Sequence, residues 1–154
     1  MTLSYEKYNK NKHYSTIKKW FSNPEIMNSM DMKIMKENEL RNWLNDPARI
    51  NLLFKDENEN LIGTLNFYHE KTQTPDYEIG YLVDPLYQGK GYATKIVELS
   101  INFAKNQLNA RSLKEIYVKD FNVASRKTLE KNGFIINRYD DIKKVYYYHI
   151  ELKK

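Results

Sequence analysis

Tyr87-Gln-Gly-Lys-Gly-Tyr-Ala-Thr94 is the stretch whose reading decides the fold. It follows a strand-like run, Tyr77-Glu-Ile-Gly-Tyr-Leu-Val83, and opens a long segment of helical apolar periodicity. Gly89 and Gly91 can take positive φ at low cost and let a ligand approach the backbone closely. The N–H groups of a first helical turn have no intrahelical partner, and the helix dipole makes that end electropositive. A glycine-bearing loop between a strand and a helix is therefore an anion cradle. The ligand it implies is a phosphate or pyrophosphate.

Elements on either side of the loop set its context. Residues 50–54 and 61–68 flank the polar run 56–60 and predict a hairpin, followed by a turn at 72–76 and the strand at 77–83. After the loop, residues 92–108 predict a helix with Ala93, Ile96, Val97, Ser100, Phe103 and Ala104 on one face. A strand at 113–119 leads to a helix at 122–132, which Asn122 can cap and Gly133 can end in αL geometry. Strands at 134–139 and 145–152 close the chain. At the N-terminal side, 2–8 reads as a strand and 14–21 as a helix that stops before Asn23-Pro24. Residues 37–44 read as a second short helix ending at Asp46-Pro47. The order is strand, two helices, three strands able to pair antiparallel, helix, strand, helix, two strands. That predicts one α/β (α+β) domain over 1–154, with helices on a mixed, mostly antiparallel sheet.

Composition narrows the chemistry. The 154 residues contain no cysteine, which excludes disulfides, thiolate metal sites and a cysteine nucleophile. His13, His69 and His149 show no metal-ligand spacing, so no metal is expected. The net charge of +5 is spread along the chain and lacks the basic-plus-aromatic patch of a nucleic-acid binder. No segment reaches the roughly 20 apolar residues of a membrane span, and the N-terminus lacks the apolar run of a signal peptide. The expectation is a cytoplasmic protein without membrane or nucleic-acid partners, either a monomer or a homodimer.

Two nucleotide patterns fail at the loop. GxGxxG fails because Tyr92-Ala-Thr follows Gly91, and a Walker loop fails because Lys90 lies between the glycines. Gln88-Gly89-Lys90-Gly91-Tyr92-Ala93 instead resembles the Q/R-x-x-G-x-G/A loop with which GNAT-type N-acetyltransferases bind the pyrophosphate of acetyl-CoA. Asp76-Tyr-Glu-Ile-Gly-Tyr-Leu-Val-Asp-Pro85 resembles the fourth strand of that family, especially in its ribosomal-protein and amino-sugar branches. Asn122-Val-Ala-Ser125 followed by Leu129-Glu-Lys-Asn-Gly-Phe134 resembles its second signature, N-x-x-S-x-x-x-L-E-K-x-G-F. Trp20-Phe-Ser-Asn-Pro-Glu-Ile26 is similar, more loosely, to the W-x-x-N/D-P-E segment of those branches. The resemblance implies a GNAT-like domain with six to seven strands and about four helices.

It also implies an activity: direct transfer of an acetyl group, in a ternary complex, from acetyl-CoA to a primary amine. The acceptor would be a small molecule or a protein N-terminus. Backbone groups of Gln88, Gly89, Lys90, Gly91, Tyr92 and Ala93 would hold the pyrophosphate, with Thr94 and Lys95 further into the first turn. Leu82 and Val83 would pair with the pantetheine arm through their backbones, and an N–H there can polarise the thioester carbonyl. Asn122 matches a pantetheine-binding position but is equally a plain helix cap. Ser125 matches a position near the thiol, a candidate acid, but also suits a capping role.

A lysine-like amine, with a pKa near 10.4, costs about 4 kcal/mol to deprotonate near pH 7.5, so a base matters for such an acceptor. Glu78 is the candidate, sharing a strand face with Gly80 and Leu82, and it is otherwise a solvent-facing carboxylate. His69 and Glu70 stand in reserve. Leu129 holds the slot where several polyamine-type members carry a tyrosine acid. Tyr146, Tyr147 and Tyr148 are alternative donors, or simply amphipathic strand residues. The acceptor site would be shaped by residues 23–38 and 140–144, where Asp31, Asp140 and Asp141 lean towards a cationic acceptor. The competing function is a non-catalytic CoA-binding or sensory module of the same fold.

Overall fold

Strands β2 (Arg49–Lys55) and β3 (Leu61–Tyr68) are buried along most of their length, on both faces. They must therefore lie at the centre of a sheet covered on two sides. The computed structural model, which describes residues 1–69 and 74–152, shows this arrangement. Its elements are β1 (Ser4–Lys7), α1 (Lys10–Phe21), α2 (Pro24–Ser29), α3 (Glu37–Leu44), β2, β3 and β4 (Asp76–Val83). They continue with α4 (Tyr92–Asn106), β5 (Ser112–Lys119), α5 (Val123–Lys131), β6 (Ile135–Asp140) and β7 (Val145–Glu151). The seven strands run in the order β1-β2-β3-β4-β5-β7-β6. All neighbours pair antiparallel except β4 and β5, which are parallel. Among the described residues no helix is long and apolar enough to cross a membrane.

Alternation along the central strands divides the core in two. Leu52, Phe54, Leu65, Phe67, Ile79 and Val83 pack with Ile96, Val97, Phe103 and Ala104 of α4 and Leu129 of α5. From the other face, Leu53 and Leu82 pack with Ile17, Trp20 and Phe21 of α1, Ile26 and Met27 of α2, and Leu40 and Leu44 of α3. The helix face expected for 92–108 is the buried one, from Ile96 to Ala104. The expected turn at 72–76 lies partly outside the described residues.

One helix was not anticipated. Asn23 accepts from the N–H groups of Glu25 and Ile26 at 2.9 and 3.3 Å and caps α2, with Pro24 in its first turn. Proline ends a preceding helix but suits the start of the next one, where its missing N–H is no loss. The five α-helices thus exceed the expected four by this short one.

The β4–β5 contact is brief. Only Asp76↔Ser112 and Tyr77↔Leu113 are in register, after which the two strands part. A bulge in β5 between Leu113 and Ile116, with Glu115 at φ 58°, accompanies the divergence. The Asp76 carboxylate sits at the meeting point with its side chain 2% exposed. Arg111 grips it through Nε at 3.0 Å and Nη2 at 2.5 Å, Ser112 Oγ donates at 2.6 Å, and Lys114 Nζ lies at 3.3 Å. Burial pushes the carboxyl up, but the bonds from Arg111, Ser112, Thr74 and Lys114 outweigh it and hold the group well below the usual range.

A carboxylate so depressed stabilises the fold fully above its ordinary value of 3.8, and loses that contribution as pH falls towards the folded-state value. Asp76→Asn is expected to cost about 2–4 kcal/mol at pH 7 through its lost charge-assisted bonds. In urea denaturation, the gap from the parent chain should hold down to about pH 5 and shrink below about pH 4. A gap independent of pH would show that the ionised carboxylate is not what joins the strands.

Candidate active site

Where β4 and β5 part, a cleft of about 970 Å³ opens between them and runs from the α4 N-terminus to α2. The register of β4 dictates what it offers. Asp84 N–H donates to Ile62 O at 2.8 Å, and β3–β4 partners keep that same pairing throughout. Antiparallel hydrogen bonding alternates, so Gly80 and Leu82 turn their N–H and C=O groups to β3. An added Cβ on Gly63 would meet Leu82 O at 2.3 Å, consistent with that direction. Tyr81 and Val83 turn their backbone groups the other way, into the cleft, where no strand pairs with them. Of the two expected positions, Val83 therefore turns its N–H to the cleft, while its C=O accepts from Gln88. Leu82 lines it from a residue whose backbone serves β3 and whose side chain anchors α1.

At one end of the cleft stands the glycine loop. Gly89 and Gly91 have φ of 76° and 85°, and Gly91 precedes the first turn of α4 with no side-chain cap. A Cβ built on Gly89 would meet nothing within 4 Å, so the loop backbone faces open space. The first-turn N–H groups of α4 are thus directed at a cradle that an anion fits. Gln88 does not reach outward: its Nε2 donates to Val83 O at 3.1 Å and ties the loop to the end of β4. Lys90 is exposed, with its ammonium 5.9 Å from the Tyr87 ring, and Tyr87 meets Tyr92 edge to face. Ala93 and Thr94 line the same end, while Lys95 pairs with Glu98 at 3.3 Å. Lys127 and Lys131 of α5 also line the cleft, a pair of cations that an isolated helix sequence reads as a solvated face.

The middle of the cleft carries a hydroxyl pair. Tyr81 Oη and Ser125 Oγ lie 2.8 Å apart, joining β4 to α5. Burial, and more weakly Tyr148, push the Tyr81 phenol up to about 12, against the bond to Ser125. Asn122 is the α5 cap, accepting from Ser125 N–H at 3.2 Å through its carbonyl oxygen. That uses its acceptor only, so capping leaves the amide donors for another partner. Tyr81 went unrecognised in the sequence because it alternates away from the face of Glu78.

On the opposite face of the sheet the cleft continues as a polar floor. Arg49, Tyr68 and Glu78 are direct cross-strand partners in a row, and Asn51, Asn66 and Gly80 form the next. Trp43, Met30 and Tyr117 line the walls, with Tyr117 Oη donating to Met30 O at 3.3 Å. The Arg49 guanidinium stands over the rings of Trp43 and Tyr68, 4.6 Å from each. Burial draws its pKa down, opposed by Asp46, Tyr68 and Glu78. Asp31 also lines the cleft, paired with Lys119 at 3.6 Å.

Other expected residues sit elsewhere. His69 Nδ1 contacts Asp76 O at 3.0 Å and its ring stacks on Tyr77, at the strand junction. Glu70 lies outside the described residues. Tyr148 is fully buried and donates to Glu130 at 2.5 Å, and Tyr146 and Tyr147 carry the guanidinium groups of Arg126 and Arg138. These three are strand residues that do not line the cleft. Asp140 accepts from its own turn, and neither it nor Asp141 lines the cleft.

Comparison with known proteins agrees with this geometry. The acetyltransferase (GNAT) domain family matches residues 6–135. An uncharacterised N-acetyltransferase of Bacillus subtilis, YjdG, is 29% identical over 86 residues, 56% of this chain and 51% of that protein. The aligned stretch thus spans about half the length of that curated relative. Among solved structures, spermidine N-acetyltransferase from Vibrio cholerae in complex with CoA and spermine superposes with a TM-score of 0.87. It is 19% identical, over 97% of this chain and 95% of that one. A domain from Methanocaldococcus jannaschii superposes at 0.80 with 20% identity, over 97% and 98%. At such identity these structures speak for the fold.

Proposed function

The chain belongs to the GNAT acetyltransferase family, and from that premise we propose that it transfers an acetyl group from acetyl-CoA directly to a primary amine. The observation that carries this is the cleft itself. A glycine cradle, unpaired strand backbone and a hydroxyl pair follow one another along it, with a carboxylate on its far floor. That sequence of groups suits a long ligand with a diphosphate at one end and a thioester at the other. Gly89, Gly91 and the first turn of α4 would receive the diphosphate, and Lys127 and Lys131 would add positive charge. The Val83 N–H and the backbone groups of Tyr81 would pair with the amide-bearing arm, and a cleft-facing N–H would polarise the thioester carbonyl.

The chain's side chains act on the amine and on the leaving thiolate. As the amine nitrogen bonds to the carbonyl carbon, its proton passes to Glu78, directly or through one water. As the C–S bond breaks, the electron pair leaves on sulfur; the Ser125 hydroxyl, itself receiving a hydrogen bond from Tyr81, donates a hydrogen bond to the thiolate, which takes its proton from water. A phenol held near 12 remains protonated throughout the working range, so it stays a donor. This pair fills the place left by Leu129, which is fully buried and has no proton to give.

Three substitutions test the reading. Gly91→Glu should abolish CoA binding in calorimetry, since it puts bulk and negative charge where the diphosphate sits; retained affinity would refute the loop assignment. Glu78→Gln should lower kcat/KM for amines of high pKa by about 10²–10⁴-fold with CoA affinity kept. An unchanged rate would remove Glu78 from the mechanism. Tyr81→Phe should lower kcat by about 10–100-fold, evenly from pH 6 to 10, because the parent phenol does not titrate there. If the chain is a binding module instead, CoA will bind and no amine will release free thiol.

A further inference from the structure

Resting on the acetyl-transfer reading, we propose that the acceptor is an amine that also carries an anionic group, a carboxylate or a phosphate, received by Arg49 while its amine lies at Glu78. Arg49 and Glu78 flank Tyr68 in one cross-strand row and line one cavity. Two strand spacings put their backbones about 10 Å apart, which suits an amine and an anion separated by several bonds.

Arg49 is built as a receptor. Its Cζ lies over the rings of Trp43 and Tyr68, 4.6 Å from each centroid, and two such contacts restrict the side chain before a ligand engages it. Its existing polar contacts are long: Nη1 to Asn66 Oδ1 at 3.4 Å, and Nε to Asp46 Oδ2 at 3.7 Å. Nε is buried without a hydrogen-bond partner. Because Nε is shielded from solvent on the Asp46 side, an oxyanion entering from the cleft would be received by the terminal nitrogens, where the long bond to Asn66 leaves room for shorter charge-assisted bonds. Asp46 balances part of the charge from behind, outside the cavity lining.

The remaining charges at this end do not offset that preference. Asp31 is paired with Lys119 at 3.6 Å and Glu115 with Arg138 at 2.9 Å. A polycation with no anion would therefore meet the Arg49 charge offset only by Asp46 and Glu78. The aspartates that leaned towards a cationic acceptor do not alter this: Asp31 is paired, and Asp140 and Asp141 lie off the cleft.

Matched amines test the proposal: lysine against cadaverine, O-phosphoethanolamine against ethanolamine, glucosamine 6-phosphate against glucosamine, with spermidine as the polycation. Free thiol release gives kcat/KM without background, since the chain has no cysteine. Calorimetry on the CoA-loaded protein gives affinity without turnover. The anionic member of the carboxylate or the phosphate pairs should be preferred about 10–100-fold, and which pairs respond identifies the anion. Arg49→Gln should bring that ratio near one while keeping CoA affinity, and Arg49→Lys should keep part of it. Equal treatment of every pair, a preference for spermidine, or an Arg49→Gln loss shared by all amines would overturn the proposal. Should Arg49→Gln fail to bind CoA, the parent ratios and Arg49→Lys decide. Arg49-dependent binding of anionic amines without turnover would sink acetyl transfer and keep the anion site; turnover without anion preference would do the reverse.

Discussion

The Asp76 carboxylate is the point on which the cleft turns. Buried and gripped by Arg111, Ser112 and Lys114, it fastens the start of β4 to the start of β5. Two parallel strands pinned at one end and unpaired beyond it form a wedge. The parting exposes backbone N–H and C=O groups that a continuous sheet would consume, and a ligand with amide groups can complete the interrupted pairing. Bulge geometry at Glu115 serves the same divergence. The other end of the wedge is fixed too: Trp20 Nε1 donates to Asp84 Oδ2 at 2.8 Å, and Gln88 holds Val83 O. The phosphate-type loop is thereby anchored to α1 and to β4 at once.

The sheet then divides labour by face. Side chains at Tyr81 and Val83 lie with α4 and α5, beside the glycine loop and Ser125. Those at Glu78 and Leu82 lie on the face of α1, α2 and α3, where Arg49, Tyr68 and Trp43 line the floor and wall. On the acetyl-transfer reading, a donor on one side of β4 and an acceptor on the other would meet where the strands part.

Much of this was legible in the residues. The positive φ of Gly89 and Gly91, the cap at Asn122 and the αL turn at Gly133 follow from local preferences that act within a few residues. The shared face of Glu78, Gly80 and Leu82 follows from strand alternation alone. α2 escaped because proline was weighed only as a terminator. Tyr81 escaped because its partner, Ser125, is 44 residues away and meets it only after β5 and α5 have formed. Arg49 escaped because an arginine opening a strand reads as a solvated charge until Trp43 and Tyr68 are seen against it.

By itself, then, the sequence determined the family, the order of every element but α2, and the positive-φ turns of the glycine loop, since these rest on short-range patterns in turn, cap and periodicity. The tertiary structure decided which backbone groups face the cleft, which hydroxyl stands beside Ser125 and which cation lies on the acceptor floor. Those are matters of strand register and of contacts between distant segments, and a one-residue change in register would invert each of them.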